Sequence, residues 1–363
     1  ANFNQDAIAH RLQRDAAEAK GYQYRFVAEK LGKQALPSAE AKLFRGHKLA
    51  VTCVALSGDE LTAYSASKDG VVFQWDVERG SKTKIFPEGK FGKPIMALAV
   101  STDGRFVAMG GKDAFVHVYD VKEKAMAHSF KGHRDAVSAL AFRRNSHQLF
   151  SGSHDRTIKV WNLDEMCYVE TLFGHQSEIT GLTSLGKERC VSSGRDRSMR
   201  QWKIIEESQL IFRGHASAID AVAMSSEEFF CGGGQDGGVS LWKLMKKKPC
   251  AMQRVAHGKD ANGNPNWVAA VAALPYSDLI ASGSCDGFVR LWQCKKENTQ
   301  IEEVRKIPVA GFVNAIAFAS SGKFILVGVG QEHRLGRWQR NAEAKNGVMV
   351  IPLTDEASLL VQE

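Results

Sequence analysis

One stretch of 30 residues recurs along this chain, and that recurrence constrains the fold more than any other feature. From Gly132 to Trp161 it reads GHRDAVSALAFRRNSHQLFSGSHDRTIKVW. Apolar alternation over 137–142, 148–151 and 157–161 predicts three short strands with polar turns between them. Asp155 occupies the last of those turns, six residues ahead of Trp161. Three strands of this length cannot bury both faces by themselves, so the stretch needs neighbours of its own kind.

Those neighbours are present. An acidic residue followed six positions later by an aromatic occurs at Asp69/Trp75, Asp113/Tyr119, Asp155/Trp161, Asp196/Trp202, Asp236/Trp242, Asp286/Trp292 and Glu332/Trp338. The successive aromatics lie 44, 42, 41, 40, 50 and 46 residues apart, the period of a four-stranded WD repeat and not of a 33- or 34-residue helical repeat. A Gly-His pair opens four units, with His47, His133, His175 and His215 each 27 or 28 residues before its Trp. Seven units in register predict an all-β chain: a seven-bladed WD-repeat β-propeller over residues 41–353. An N-terminal helical extension and linker over 1–40 precede it, and a tail over 354–363 follows.

A chain of 363 residues suggests two domains by length alone, yet the repeat runs through about nine-tenths of it as one closed unit. Seven cysteines, an odd number without C-x-x-C spacing and several in apolar strand contexts, argue against zinc and against a disulfide framework, and for a reducing compartment. No apolar run approaches the length of a membrane span, and no secretory signal is visible at the start. The net charge of +8 and pI near 9.0 bear on partners, leaning toward nucleic acid or an acidic protein surface, and not on fold.

Residues 1–35 lack strand alternation. Ile8, Leu12, Ala16 and Ala19 follow helical spacing with Asn4 as a cap, and Gly21 ends that helix before a second turn carrying Tyr22, Phe26 and Leu31. Six Lys or Arg against five acids over residues 1–40 nearly cancel, which favours docking on protein or on the propeller's own flank over a basic nucleic-acid arm. Lys42 to Arg45 reads as an outer strand. Gly347 to Leu353 reads as another, so both termini compete for one position in the last blade, and the sequence leaves that open. Two connections depart from the repeat: Ser81 to Pro94, and the polar Gly- and Asn-rich Ala256 to Trp267, which accounts for the 50-residue spacing.

Three units carry His, Ser, Asp and Trp together: His47, Ser65, Asp69 and Trp75; His133, Ser151, Asp155 and Trp161; His175, Ser192, Asp196 and Trp202. By composition each contains a Ser-His-Asp triad. Catalytic triads are not repeated three times in one domain, and a nucleophile needs an exposed hydroxyl beside oxyanion donors. The expected role is structural: Asp accepts from His, Ser holds His, and the Trp nitrogen completes the network. Unit five has Gly232 at the Ser position, and unit seven has Gly328 and Glu332, so those blades should be held less rigidly. With no phosphate loop, no metal-ligand spacing and no isolated carboxylate pair, the chain reads as a non-enzyme without cofactor, metal or small-molecule substrate.

The turns that hold the acidic residues open on one face of a propeller. The residues beside them include Lys68, Lys112, His154, Arg156, Arg195, Arg197, His333 and Arg334, with Arg337 close by. These fall on units one to four and seven, contiguous in a closed ring, while units five and six are neutral. Such an arc suits a phosphate backbone. Aromatic residues suited to base stacking do not interleave with it, which favours a structured RNA or a protein–RNA surface.

At these residues the chain resembles the U3 small nucleolar RNA-associated WD-repeat proteins of the small-subunit processome. The resemblance is carried by Gly132 to Asn162, by YVETLFGHQ (Tyr168 to Gln176), by EESQLIFRGH (Glu206 to His215), and above all by GFVNAIAFASSGKFILVGVGQEHRLGRW (Gly311 to Trp338), where GQEHRLGRW replaces the usual S-x-D-x-T-x-x-x-W. It implies a nucleolar, nuclear protein that recognises the box B/C region of U3 RNA with the kink-turn-binding protein seated on it. Box C/D core and processome proteins would be its further partners, and it would support early pre-rRNA cleavages and 18S maturation without catalysing them. Carried onto this sequence, the family-typical motif is Gln331, Glu332, His333, Arg334 and Arg337, with His154 and Arg156 from the third unit. The acidic leader that such proteins bear, with its import signal, is not visible, so targeting rests on analogy. The rival expectation is a protein-only adaptor that docks an acidic partner or peptide on the same face.

Overall fold

The computed structural model describes residues 24–33, 40–85, 94–295 and 299–354. The helix read over Ile8 to Ala19, most of the linker before Glu40 and nearly all of the tail lie outside the described residues. Within them, seven four-stranded antiparallel sheets form the predicted propeller. The third blade shows the plan: Val137–Phe142 innermost, then Gln148–Ser153, Thr157–Asn162 and Cys167–Phe173, each strand paired with the next. The three inner strands are largely buried and the outermost has no buried residue, because a blade is covered on both faces by its neighbours and uncovered at the rim.

The core is accordingly seven wedges between blades and not one central mass. In one wedge Phe106, Val116 and Val118 of blade two pack with Val137, Leu140, Leu149 and Trp161 of blade three. Close approach is possible where the second strand carries glycine. A Cβ on Gly152 would stand 2.7 Å from Ile179 of the next blade, and one on Gly283 would stand 2.1 Å from Val313. Around the axis, polar side chains on the inner strands staple neighbouring blades. Thr52 donates to the Ile95 carbonyl at 2.7 Å and the Asn314 amide to Val51 at 3.0 Å, while Ser138 and Thr180 donate to the carbonyls of Ile179 and Ile219.

The ring closes in the seventh blade, and there both chain ends take part. Its order is Phe312–Phe318, Phe324–Gly330, Gly347–Pro352 and, outermost, Lys42–Arg45. The two terminal segments do not compete: the C-terminal one is the third strand and the N-terminal one the fourth. This corrects the reading of Glu332/Trp338 as the turn and strand of that blade. Residues 331–346 form a loop, Trp338 is 56% exposed on it, and Ile351, paired with Ile325, holds the register position that Trp161, paired with Leu149, holds in blade three.

The described part of the N-terminal extension lies on the flank of blade six. A short helix, Ala28–Lys33, buries Ala28 and Leu31 against that blade's core. Its free N–H groups are received by Asp278, whose Oδ1 accepts from Val27 at 2.8 Å and Ala28 at 3.0 Å.

Candidate nucleic-acid interface

The turns are built before they are decorated. In blade three the indole N–H of Trp161 donates to Ser151 Oγ at 2.7 Å, Ser151 lies 2.8 Å from His133 Nε2, and His133 Nδ1 lies 2.9 Å from Asp155. Blade four repeats this with Trp202, Ser192, His175 and Asp196 at 2.8, 2.7 and 2.9 Å. Burial opposes ionisation of Asp155 and Asp196. The hydrogen bonds they receive from His, from Thr157 or Ser198 and from backbone N–H groups outweigh it and hold both carboxyls well below the usual range. Blade one is looser: Trp75 and His47 both reach Ser65, at 2.8 and 2.7 Å, but His47 Nδ1 stands 3.6 Å from Asp69.

Three blades solve the same problem in ways the sequence reading missed. In blade five the absent serine is replaced across the ladder. Ser240 lies opposite Gly232, and its hydroxyl meets His215 Nε2 at 2.6 Å and Trp242 at 2.8 Å, so the blade keeps a full network and is not held less rigidly by that measure. In blade six His257 lies 2.9 Å from Asp286 and 2.7 Å from Ser282, which also accepts from Trp292 at 2.7 Å. That histidine precedes its glycine, and the loop following it lengthens the spacing to Asp286 to 29 residues, which hid it. In blade two Asp113 is met by His117 of the third strand at 2.7 Å.

The turn residues project from the face at which the inner strands begin. Arg156 and Arg197 follow their aspartates with φ of 71° and 62°, where blades one, five and six place Gly70, Gly237 and Gly287. A side chain in this region costs about 1–2 kcal/mol, so the arginines sit where local stability favours glycine. Lys112, Arg156, Arg195 and Arg197 are exposed, and Arg134, unremarked in the sequence, joins them because its backbone N–H donates to Asp155 at 3.0 Å. Arg195 stands 3.7 Å from Glu178, an exposed pair that leaves it available. His154 is half-buried and its pKa is lowered by burial, so it contributes no positive charge near neutrality.

Burial removes three predicted members of the arc. The Lys68 ammonium donates to Glu332 at 2.9 Å and to the carbonyls of His333 and Gly336 at 2.6 and 3.1 Å, fastening the seventh-blade loop. His333 is 4% exposed, and burial followed by the charges of Arg334 and Lys68 pushes its pKa down to about 3. Arg334 points into the axial channel beside Thr52, Ser138 and Thr180. Arg337 remains exposed, leaning on Glu332 at 3.2 Å. The usable surface is therefore a shorter arc over blades two to four, with Arg337 apart from it. No group of acidic, His and Cys residues among the described residues is arranged to hold a metal, and all seven cysteines are unpaired.

Seven blades, five of them pinned by His, Ser, Asp and Trp networks, define a WD-repeat propeller, and the family model described as WD domain, G-beta repeat matches residues 39–76, 81–120, 125–162, 166–203 and 258–293. The matched segments leave out blade five, whose serine has changed strands, and blade seven, whose third strand carries no aromatic residue. The chain is 45% identical over 364 residues, 97% of its length and 76% of the relative's, to human U3 small nucleolar RNA-interacting protein 2. It is 28% identical, over 96% of its length and 79% of the relative's, to Ribosomal RNA-processing protein 9 of Saccharomyces cerevisiae. A solved structure described as the crystal structure of RRP9 WD40 repeats superposes with a TM-score of 0.85 at 46% identity, covering 88% of this chain and 99% of that one. The chain belongs to the U3 small nucleolar RNA-associated WD-repeat proteins, a family of the U3 ribonucleoprotein and of ribosome biogenesis.

Proposed function

We propose that this protein is a non-catalytic, nucleolar RNA-binding scaffold. The face of blades two to four holds the phosphate backbone of the U3 box B/C region beside its kink-turn-binding protein. In that position the propeller supports early pre-rRNA cleavage and 18S maturation. The observation that carries this reading is the run of exposed Lys112, Arg134, Arg156, Arg195 and Arg197 on adjacent blades. Two of these arginines occupy turn positions that glycine would fill at lower energy.

Contacts of this kind release counterions, so affinity falls with salt in a log–log line whose slope counts the phosphates neutralised. The test is the affinity of the chain for U3 box B/C RNA in the presence of the kink-turn protein, measured across a salt series. Arg156→Glu with Arg195→Glu is expected to weaken binding at least tenfold and to flatten the slope. Unchanged binding would remove this face from consideration. Capture of protein partners that resists nuclease, with no measurable RNA affinity, would replace the reading with a protein-only adaptor.

A further inference from the structure

We propose that a cavity between blades five, six and seven, on the same face, receives one unpaired nucleobase of the bound RNA. This deepens the scaffold reading and rests on it. The cavity holds about 370 Å³ and is walled by Trp267, Trp338 and His333, with Gln235, Asn264 and Asp260 around it. That is the size of a small-molecule site, with apolar ring faces and a few polar groups.

Its walls are fixed in place. The rings of Trp267 and Trp338 lie 5.7 Å apart at 62°, and His333 lies 5.6 Å from Trp338 at 31°. Five of the seven tryptophans are at most 4% exposed inside blade networks, whereas Trp338 is 56% exposed and takes no part in one. Its ring lies against the backbone of Gly336, where a Cβ would stand 1.7 Å away. The loop beneath is tied down by Lys68 on one side and on the other by Gln331, which donates to the Ala344 carbonyl at 2.9 Å. A surface tryptophan held in one pose by a braced loop presents an ordered π-face.

His333 supplies the second, independent observation. The Leu335 backbone N–H donates to its Nδ1 at 3.2 Å, which places the proton of the neutral ring on Nε2. That Nε2 is buried and has no hydrogen-bond partner among the described residues. A buried donor left unmade is costly, and a ring carbonyl or nitrogen of a base would satisfy it. Exposed Arg337 and Arg340 flank Trp338 and offer cations to the phosphates on either side. Asp260 would repel phosphate, so the backbone runs along the Arg337 side and the base points inward. Duplex RNA cannot enter, because its bases are stacked on one another. A base from a loop or bulge can.

The experiment uses the full chain with box B/C RNA and the kink-turn protein. Stacking of one base is worth about 5- to 150-fold in affinity, so Trp338→Ala is expected to weaken binding about tenfold, and Trp338→Phe to restore most of it. The salt slope should stay unchanged in both, because no phosphate contact is removed. Ultraviolet crosslinking should attach a nucleotide to the peptide carrying Trp338. If Trp338→Ala binds as the parent does while Arg156→Glu with Arg195→Glu weakens binding, the cavity proposal fails and the scaffold reading stands. If neither set of variants changes affinity, both fail. In a separate arm without RNA, nucleoside 5′-monophosphates at millimolar concentration should quench fluorescence in the parent and not in Trp338→Ala. No quenching in the parent overturns the assignment.

Discussion

Arg334 reaches across the axial channel from the seventh-blade loop, and its guanidinium donates to the backbone carbonyl of Asp220 on the inner strand of blade five. Asp220 is fully buried. It occupies the ring position at which Thr52, Ser138, Thr180 and Asn314 each donate to the next blade, and an ionised carboxylate cannot donate. Burial pushes its pKa up, and Arg334 and the Gln235 amide pull against that. Removing one member of such a pair leaves the other uncompensated in a low-dielectric site. Arg334→Met and Asp220→Asn are each expected to cost about 3 kcal/mol. The double variant should cost clearly less than the sum, as read from urea unfolding in a double-mutant cycle. Additive losses would show that the two residues do not interact.

Ser240 does for blade five what a serine on the neighbouring strand does elsewhere. Ser240→Ala leaves the indole N–H of Trp242 and the His215 ring without their shared partner, and should destabilise the protein by about 2–4 kcal/mol. Restoring the consensus by adding Gly232→Ser should not rescue it, because the new Cβ would lie 2.7 Å from Met199 Sδ. Thermal unfolding of the single and double variants decides the point. Recovery in the double variant would mean that Met199 yields easily.

Folding stability should depend on pH through His333. Its folded-state pKa of about 3 lies below the ordinary 6.5, so the unfolded chain binds a proton in that window that the native state does not. Stability is complete above about pH 6.5 and falls as the pH drops toward 3, by up to about 1.4 kcal/mol per pH unit from this group. His154, also lowered, adds a smaller loss of the same sign. Asp155 and Asp196, whose carboxyls are depressed, lose their contributions only below about pH 4. His333→Gln should therefore flatten the profile between about pH 6.5 and 4. Parallel profiles would mean that the imidazole is protonated in the native state.

Arg156 separates stability from binding. Relief of a left-handed side chain, about 1–2 kcal/mol, exceeds the entropy that glycine loses on folding, about 0.5–1 kcal/mol. Arg156→Gly should accordingly raise unfolding free energy by about 0.5–1 kcal/mol while weakening the RNA complex and reducing its salt slope by about one unit. A variant that is less stable, or that binds RNA unchanged, would show that the turn is not held open for recognition.

The period of the first six aromatic residues was enough to specify packed four-stranded blades, because each small sheet has two faces to bury and only copies of itself to bury them against; Trp338 continues that period from a loop outside the seventh blade's strands. The His, Ser, Asp and Trp networks of blades three and four were equally legible, since their spacing is local and fixed by three consecutive strands. Ser240 escaped because a ladder pairs residues across strands, so a hydroxyl can enter the same space from position 232 or from its partner. His257 was hidden by a loop that adds chain length without moving the ends apart.

What the sequence could not determine was which charges stay at the surface. Lys68, His333 and Arg334 look like Arg156 and Arg197 in a one-dimensional reading, as basic residues beside an acidic turn. Their fate is settled where blade seven closes on blade one and where the loop folds over the axis. There Lys68 meets Glu332, Arg334 meets Asp220, and Trp338 leaves the strand it resembles to stand at the surface. The repeat follows from sequence because burial is periodic. The interface depends on closure, because a charge becomes structural only when distant segments bring it a partner.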